Sequence, residues 1–257
     1  MESKIIIFES GKDIGIMSTA PKFYEENTPE EVRKEAFHQN RIKLGNKYNF
    51  DGNHIFHANQ KSVTNKLNYP DGHYILLNNK FMDKEDYYTE NLEADILILP
   101  SIYKGVGIAN PQADCPILIV EDRNKGYTAL SHCGAPYIDR LLPIDTIKAL
   151  EKEVNSNLDD LYIYIGSSIK KESYIYDKYP SWATNEDVWK DYITKEDDGY
   201  HIDLTGAILK QLKDYGIKNI EINDIDVAKD DRYYSHSEFS KGNLSKKGQN
   251  FVGFFYK

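Results

Sequence analysis

Gln112-Ala113-Asp114-Cys115-Pro116-Ile117-Leu118-Ile119-Val120, followed after a polar turn by Tyr127-Thr128-Ala129-Leu130-Ser131-His132-Cys133-Gly134, reads as two successive strands of one hairpin. Ile117 to Val120 is a strand-like apolar run, Asp122 to Gly126 has turn chemistry, and Tyr127 to Leu130 returns as the second strand. A turn centred near Asn124 sets Cys115 almost opposite His132. Opposed residues of an antiparallel pair hold their Cβ atoms about 4.5–5.5 Å apart, and a one-residue slip would send a side chain to the other face. A thiol and an imidazole so placed can grip one metal ion or act as nucleophile and base.

Outward from the hairpin, Thr28-Pro29-Glu30-Glu31 carries a helix start: a threonine N-cap, proline at the first helical position and a glutamate to close a capping box. The helix is expected to reach Leu44 and stop before Gly45. Val32, Ala36, Phe37 and Leu44 form its apolar arc, with Asn40 in the middle and Arg41 at the edge. An inward amide needs partners, so Asn40 either bonds nearby backbone or faces a site. Strand-like stretches follow at Ile55 to Val63, Gly72 to Leu77 and Ala94 to Leu99, the last with Ile96, Leu97 and Ile98 buried on both faces. Beyond the hairpin come a helix from Pro143 to Val154, a strand from Leu161 to Ile165 and an irregular tyrosine-rich excursion from Lys170 to Gly199, with a helical piece near Asp187 to Ile193. A helix from Leu204 to Tyr215, a strand from Asn219 to Ile222, a loop through Ser235-His236-Ser237 and a last strand from Phe251 to Tyr256 complete the pattern. Strands and helices are interspersed without regular βαβ alternation, which favours α+β with mixed sheets. No linker divides residues 1–257, so one domain is expected.

The net charge of −9 and pI near 5.3, with scattered lysines, argue against nucleic acid or an anionic membrane as partner. No apolar run approaches the roughly 20 residues that span a bilayer, and Ile5 to Phe8 is a strand start rather than an export signal. Two cysteines make no disulfide framework, so a reducing cytoplasm is expected. Arg33, Arg41, Arg123, Arg140 and Arg232 are the only arginines in a lysine-rich chain, which draws attention to positions that need a planar fork.

Phosphate-loop, dinucleotide, nucleophile-elbow, H-E-x-x-H and C-x-x-C signatures are all missing; Gly105-Val106-Gly107 and Gly11-Lys12 read as turns. In His54-Ile55-Phe56-His57, strand alternation lets at most one histidine enter a shared site, and His57 is the candidate. Cys133 alternates away from His132 toward the core. His57, Cys115 and His132 would suit Zn²⁺ with a fourth position open, as in catalytic sites. Without His57, Cys115 as nucleophile and His132 as base remains the alternative. Seven histidines with no H-x-H pair do not suit a multicopper oxidase.

Asn40-Arg41, Phe56-His57, Ala94-Asp95, Ala113-Asp114-Cys115-Pro116-Ile117-Leu118, Ser131-His132-Cys133-Gly134, Tyr164-Ile165-Gly166 and Tyr233-Tyr234-Ser235-His236-Ser237 occur in the order and approximate spacing of a known family. Over nearly its whole length the chain resembles the laccase-domain (multicopper polyphenol oxidoreductase) proteins, redescribed as zinc-dependent purine nucleoside phosphorylases. The resemblance implies a layered α/β/β/α sandwich and makes His57, Cys115 and His132 the zinc ligands. It implies phosphorolysis of adenosine, inosine or guanosine to base and ribose 1-phosphate, with methylthioadenosine cleavage and adenosine deamination as side activities. A zinc with one open position suits deamination directly, by activating water. On that basis Arg41 and Arg140 are the candidates for substrate phosphate, Cys115, His132 and the substrate-orienting Asn40 are the catalytic candidates, and a monomer or small homo-oligomer is expected. A related toxin fold, a cysteine-dependent deamidase, keeps the hydrolase alternative in play. The chain departs from the family at three points. Ala135-Pro136-Tyr137 replaces W-R after H-A-G, leaving Arg140 the nearest arginine; Ser167 replaces the proline of G-P-x-I; Glu238, with no arginine following, stands for the R-R of the tail motif. A divergent member with a changed substrate, or a metal-binding member with little activity, is the expectation these departures add.

Overall fold

The computed structural model describes residues 5–60, 73–89 and 92–257. In chain order its elements are β1 (Ile5–Glu9), α1 (Glu30–Tyr48), β2 (Ile55–Phe56), β3 (Ala58–Asn59), β4 (Tyr74–Leu76), β5 (Leu92–Glu93), β6 (Ile96–Pro100), β7 (Gly107–Gln112), β8 (Ile117–Asp122) and β9 (Tyr127–His132). There follow α2 (Ala135–Ile138), α3 (Leu142–Val154), β10 (Leu161–Ile165), β11 (Ile175–Tyr176), α4 (Glu186–Trp189), β12 (Ile193–Glu196), β13 (Gly199–Ile202), α5 (Leu204–Asp214), β14 (Asn219–Ile222), α6 (His236–Ser240) and β15 (Asn250–Tyr256).

Two mixed sheets dominate, one of order β1-β15-β7-β2 and one of order β14-β10-β8-β9-β6-β4. Alternation along the hairpin explains how they stack. Ile117, Ile119 and Leu130 join Phe56, Ile108 and Phe254 in an apolar layer between the sheets, while Leu118, Val120 and Ala129 pack with Ile147, Leu150, Ile208 and Leu212 of α3 and α5. A strand covered on both faces carries a continuous apolar run. The outer face of the four-stranded sheet is covered by α1 through Phe37 and Leu44 against Phe251 and Phe255. The result is the layered α+β sandwich with mixed sheets that the sequence implied.

Several local expectations are corrected. The hairpin turn falls near Asn124 as expected but the pairing slips, because Asp122 Oδ1 accepts from the N–H groups of Asn124 and Lys125 and Gly126 N–H closes on the Asp122 carbonyl. Its centre is thus between Asn124 and Lys125, and His132 pairs with Ile117. Helix α1 passes through Gly45 and ends at left-handed Asn49; Gly45 is there because a Cβ would stand 2.5 Å from the Phe50 carbonyl oxygen. Its first residue is Glu30 and no side chain caps it. The Lys170 to Gly199 excursion contributes to a three-stranded sheet, β11-β13-β12. Gly107 opens strand β7, and Ser235 caps the short helix α6 where a loop was expected. The expected strand at Ile55 is broken at His57, and its residues 61–63, like Gly72, fall outside the described residues.

Candidate metal centre

His57 sits between β2 and β3, His132 ends β9, and Cys115 lies two residues ahead of β8. Carrying the observed register two residues further sets Cys115 level with Gly134 rather than with His132. Cys115 lies in the bend ahead of β8, where strand alternation no longer sets the direction of a side chain. Gly134 holds the space beside the sulfur open: a Cβ there would lie 3.5 Å from Cys115 Sγ.

All three side chains are partly exposed, as a ligand-accessible site requires. His57 Nδ1 and His132 Nε2 are nonetheless buried atoms with no hydrogen-bond partner. Orphaned buried nitrogens cost free energy, and a bound cation is one way to satisfy them. Burial lowers the pKa of both imidazoles to about 4; for His57 the charge of Arg41 and the neighbouring His132 add to it. Both rings are therefore neutral near neutral pH, the form that ligates metal. Burial, with the Asp114 charge, pushes the Cys115 thiol up to about 12, so metal would have to displace its proton. In this form at least one pair of the three ligand atoms is more than 4.8 Å apart, and closing on one ion takes a side-chain rotation. Among the described residues, the group whose ligand atoms do converge within that distance is Glu196, Asp198 and His201 on the β12–β13 hairpin.

The other predicted residues fall on either side of this centre. Arg41, expected to face phosphate, is 2% exposed and spends its fork on Asp86, with Nη1 and Nη2 at 2.8 and 2.5 Å, and on the Gly52 carbonyl. Its guanidinium lies 5.0 Å from the ring centres of both Phe37 and Tyr88, and the Tyr88 ring is 5.0 Å from His57. Arg41 thus acts on His57 through charge and through Tyr88. Asn40 donates to the Ile16 carbonyl at 3.0 Å, so of its two readings the structure realises the backbone one. Arg140 lies between α2 and α3, where its charge opposes the burial and the Asp95 charge that lift the Tyr137 phenol to about 12. His54 stacks on Tyr87 at 4.8 Å, leaving His57 alone to face His132, and Cys133 is fully buried in the core.

Asp114, read in the sequence as support for Cys115, is joined here by three residues that were not singled out: Gln60, Tyr174 and Gln112. Asp114 binds the tail motif to the site, accepting from Ser235 Oγ at 2.7 Å and from Ser237 N and Oγ at 2.8 and 2.9 Å. Gln60 donates to the His132 carbonyl at 2.6 Å. The Tyr174 phenol, raised chiefly by burial, also feels the Cys115 and Asp114 charges. Gln112 is 1% exposed with neither amide atom bonded. An aspartate directly before the candidate cysteine was the one available signal; the rest depends on which strands meet.

Fold and side chains together define a layered α+β protein with partly exposed His57, Cys115 and His132 near the end of its central hairpin. Residues 23–250 match the model of the multi-copper polyphenol oxidoreductase laccase family, and the chain belongs to that family. Over 131 residues it is 30% identical to a purine nucleoside phosphorylase of Bacteroides thetaiotaomicron, which covers 49% of this chain and 47% of that protein. The chain therefore spans about half the length of the curated relative it matches. The hypothetical protein YfiH of Bacillus licheniformis shares the fold at TM-score 0.73 and 18% identity, over 98% of this chain and 93% of that one. YlmD of Geobacillus stearothermophilus does so at TM-score 0.76 and 15% identity, over 99% and 93%. Among the described residues no helix is long and apolar enough to cross a membrane.

Proposed function

We propose that this chain is a zinc-dependent purine nucleoside phosphorylase, cleaving adenosine, inosine or guanosine with phosphate, and that residues 1–257 act as one cytoplasmic domain. The observation that carries the reading is the pair of orphaned, neutral imidazole nitrogens of His57 and His132. The name of the Bacteroides relative supports the substrate class. His57, Cys115 and His132 would hold the metal, which when bound supplies a Lewis acid for polarising an oxygen or a water, chemistry shared with adenosine deamination. The chain's own residues prepare the site. Burial keeps His57 unprotonated with the Arg41 charge adding to it, Asp114 fixes the tail motif to the segment of Cys115, and the unsatisfied Gln112 amide offers both a donor and an acceptor for a base edge. Arg140 is the arginine assigned to phosphate once Arg41 is committed to Asp86.

The cysteine-hydrolase reading loses support, since a thiol near 12 is not a ready thiolate and His132 Nε2 has no bonded partner. Elemental analysis of purified protein tests the proposal. About one zinc per chain is expected, lost in Cys115→Ala. A metal-free preparation that still releases adenine from adenosine would sink it. Full zinc with no turnover on a nucleoside panel would leave a metal-binding member without this activity.

A further inference from the structure

The four-stranded sheet has two edges, and the metal centre uses only one. His57 follows β2, whereas β1 forms the far edge, three strand spacings or about 14 Å away. Against β1 lies a second cavity of about 610 Å³, closed by the end of α1, by Tyr164 of β10 and by the Arg232-Tyr233 turn. None of its lining residues belongs to the metal centre. Its size is that of small-molecule sites, typically about 300–1,000 Å³.

The chemistry converges on Glu9. Its Oε1 accepts from Tyr164 Oη at 2.9 Å and from Ser167 N at 3.0 Å, while Oε2 is a buried atom with no hydrogen-bond partner. The carboxylate is thus aimed and fixed by one oxygen and unanswered at the other. The cations around it are already committed. Lys47 pairs with Asp13 at 2.8 Å, Arg232 chelates Asp230 with 2.6 Å at Nη2, and Lys170, which feels the Glu9 charge least after those of Asp224, Asp226 and Asp203, donates to the Asn223 carbonyl. In the wall itself Glu9 and Asp13 balance Lys47 and Arg232, so the unbonded Glu9 Oε2 is what favours a positive guest. Tyr48, Tyr164 and Tyr233 line the same cavity, and the Glu9 charge, after burial, raises the phenols of Tyr164 and Tyr233. Aromatic rings around an unpaired carboxylate are the means by which proteins hold organic cations.

We propose that the β1-edge cavity is a second binding site, for a small organic cation whose ammonium or amidinium head meets Glu9 Oε2 and whose flat or aliphatic body lies against the tyrosines. This site is independent of the nucleoside reading. The test titrates the full chain, with any bound zinc left in place, with benzamidine, and with benzyl alcohol and benzoate as neutral and anionic counterparts. Benzamidine is expected to saturate one site per chain and to perturb resonances of β1 and Tyr233, with both counterparts at least about tenfold weaker. Glu9→Gln, which keeps the acceptor for Tyr164, is expected to weaken benzamidine by about 10- to 100-fold, the range for losing one charged hydrogen bond. Should Glu9→Gln lose its near-ultraviolet circular dichroism, Tyr233→Leu replaces it, with an expected weakening of about fivefold. Non-saturating binding, benzoate binding as tightly as benzamidine, or unchanged affinity in the folded variant would overturn the proposal.

Discussion

Asp139 and the His57/His132 pair are polar constructions close along the chain, one seven residues after His132, and they are satisfied in opposite ways. Asp139 is 5% exposed, yet its carboxylate accepts from Thr184 N and Oγ1, Asn185 N and Trp189 Nε1, all at 2.7–2.8 Å. Burial alone would raise its pKa, but these bonds outweigh it and hold the group below its ordinary value. The imidazoles have buried nitrogens with no bond at all. A carboxylate whose acceptor positions are filled has nothing left for a ligand and serves to lock α4 to the segment after the hairpin. A nitrogen left empty destabilises the ligand-free fold and so marks where binding free energy is gained.

The largest effect that would break this contrast is on the unsatisfied side. Cys115→Ala is expected to abolish zinc binding and to lower nucleoside phosphorolysis by about 1,000-fold or more, roughly 4 kcal/mol of barrier. Unfolding of the metal-free protein should change little, because Cys115 is partly exposed. Full metal occupancy in Cys115→Ala, by elemental analysis, would remove the cysteine from the ligand set. On the satisfied side, Asp139→Ala strands the Trp189 indole N–H and the Thr184 and Asn185 amides, so a loss of about 3 kcal/mol in urea unfolding is expected. Zinc per chain should be unchanged. If the metal goes while stability holds, Asp139 belongs to the site and the contrast fails.

Arg41 sharpens the comparison because it sits between the two kinds of group. It is buried and bidentate like a structural residue, yet its charge is felt at His57. Arg41→Met leaves Asp86, which is 27% exposed, without its partner, and a cost of about 2 kcal/mol is expected. The acid behaviour follows by linkage. A histidine that titrates near 6.5 unfolded and near 4 folded makes the unfolded state bind more protons between those values. The metal-free protein should therefore keep the histidine contribution above pH 6.5 and lose it progressively as pH falls to about 4. Arg41→Met removes one cause of the His57 depression, so its loss should end at a higher pH. Chemical denaturation at a series of pH values reads both effects. An acid limb unchanged by the substitution would show that burial and the neighbouring His132, without Arg41, set the His57 value.

The layered fold was legible where a local pattern is strong. The apolar run at Ile117 to Val120, the amphipathic spacing of α3 and α5, and the strands β10, β14 and β15 all carry their own periodicity. Strand β7 did not, because Gly107-Ile108-Ala109-Asn110-Pro111-Gln112 has weak strand propensity and is held by pairing to β15 on one side and β2 on the other. Residues of the centre were recognisable by chemical type, since a cysteine and two histidines are few enough to single out. Their relation was not: the register turned on how the Asp122 carboxylate caps the turn, and Arg41 was diverted by Asp86, 45 residues away. Side-chain pairings of that separation leave no mark in spacing.

Asn40 gives the smallest and most discriminating measurement. On α1 it falls in the inward arc beside Arg41, which is what a substrate-orienting amide would also do. Its Nδ2 donates to Ile16 O, and Gly15 at φ +117° brings its backbone so close that a Cβ would stand 2.6 Å from the Asn40 amide. The amide therefore pins the loop after β1 onto the helix, and its geometry is filled by the protein itself. Asn40→Ala should cost about 1 kcal/mol in urea unfolding, one ordinary hydrogen bond, with zinc content unaltered and KM for nucleoside within about twofold. A KM raised tenfold with unfolding unchanged would mean that the amide leaves Ile16 when substrate binds. Asn40 would then join the unsatisfied class, and the contrast between filled and empty polar groups would describe only the ligand-free state.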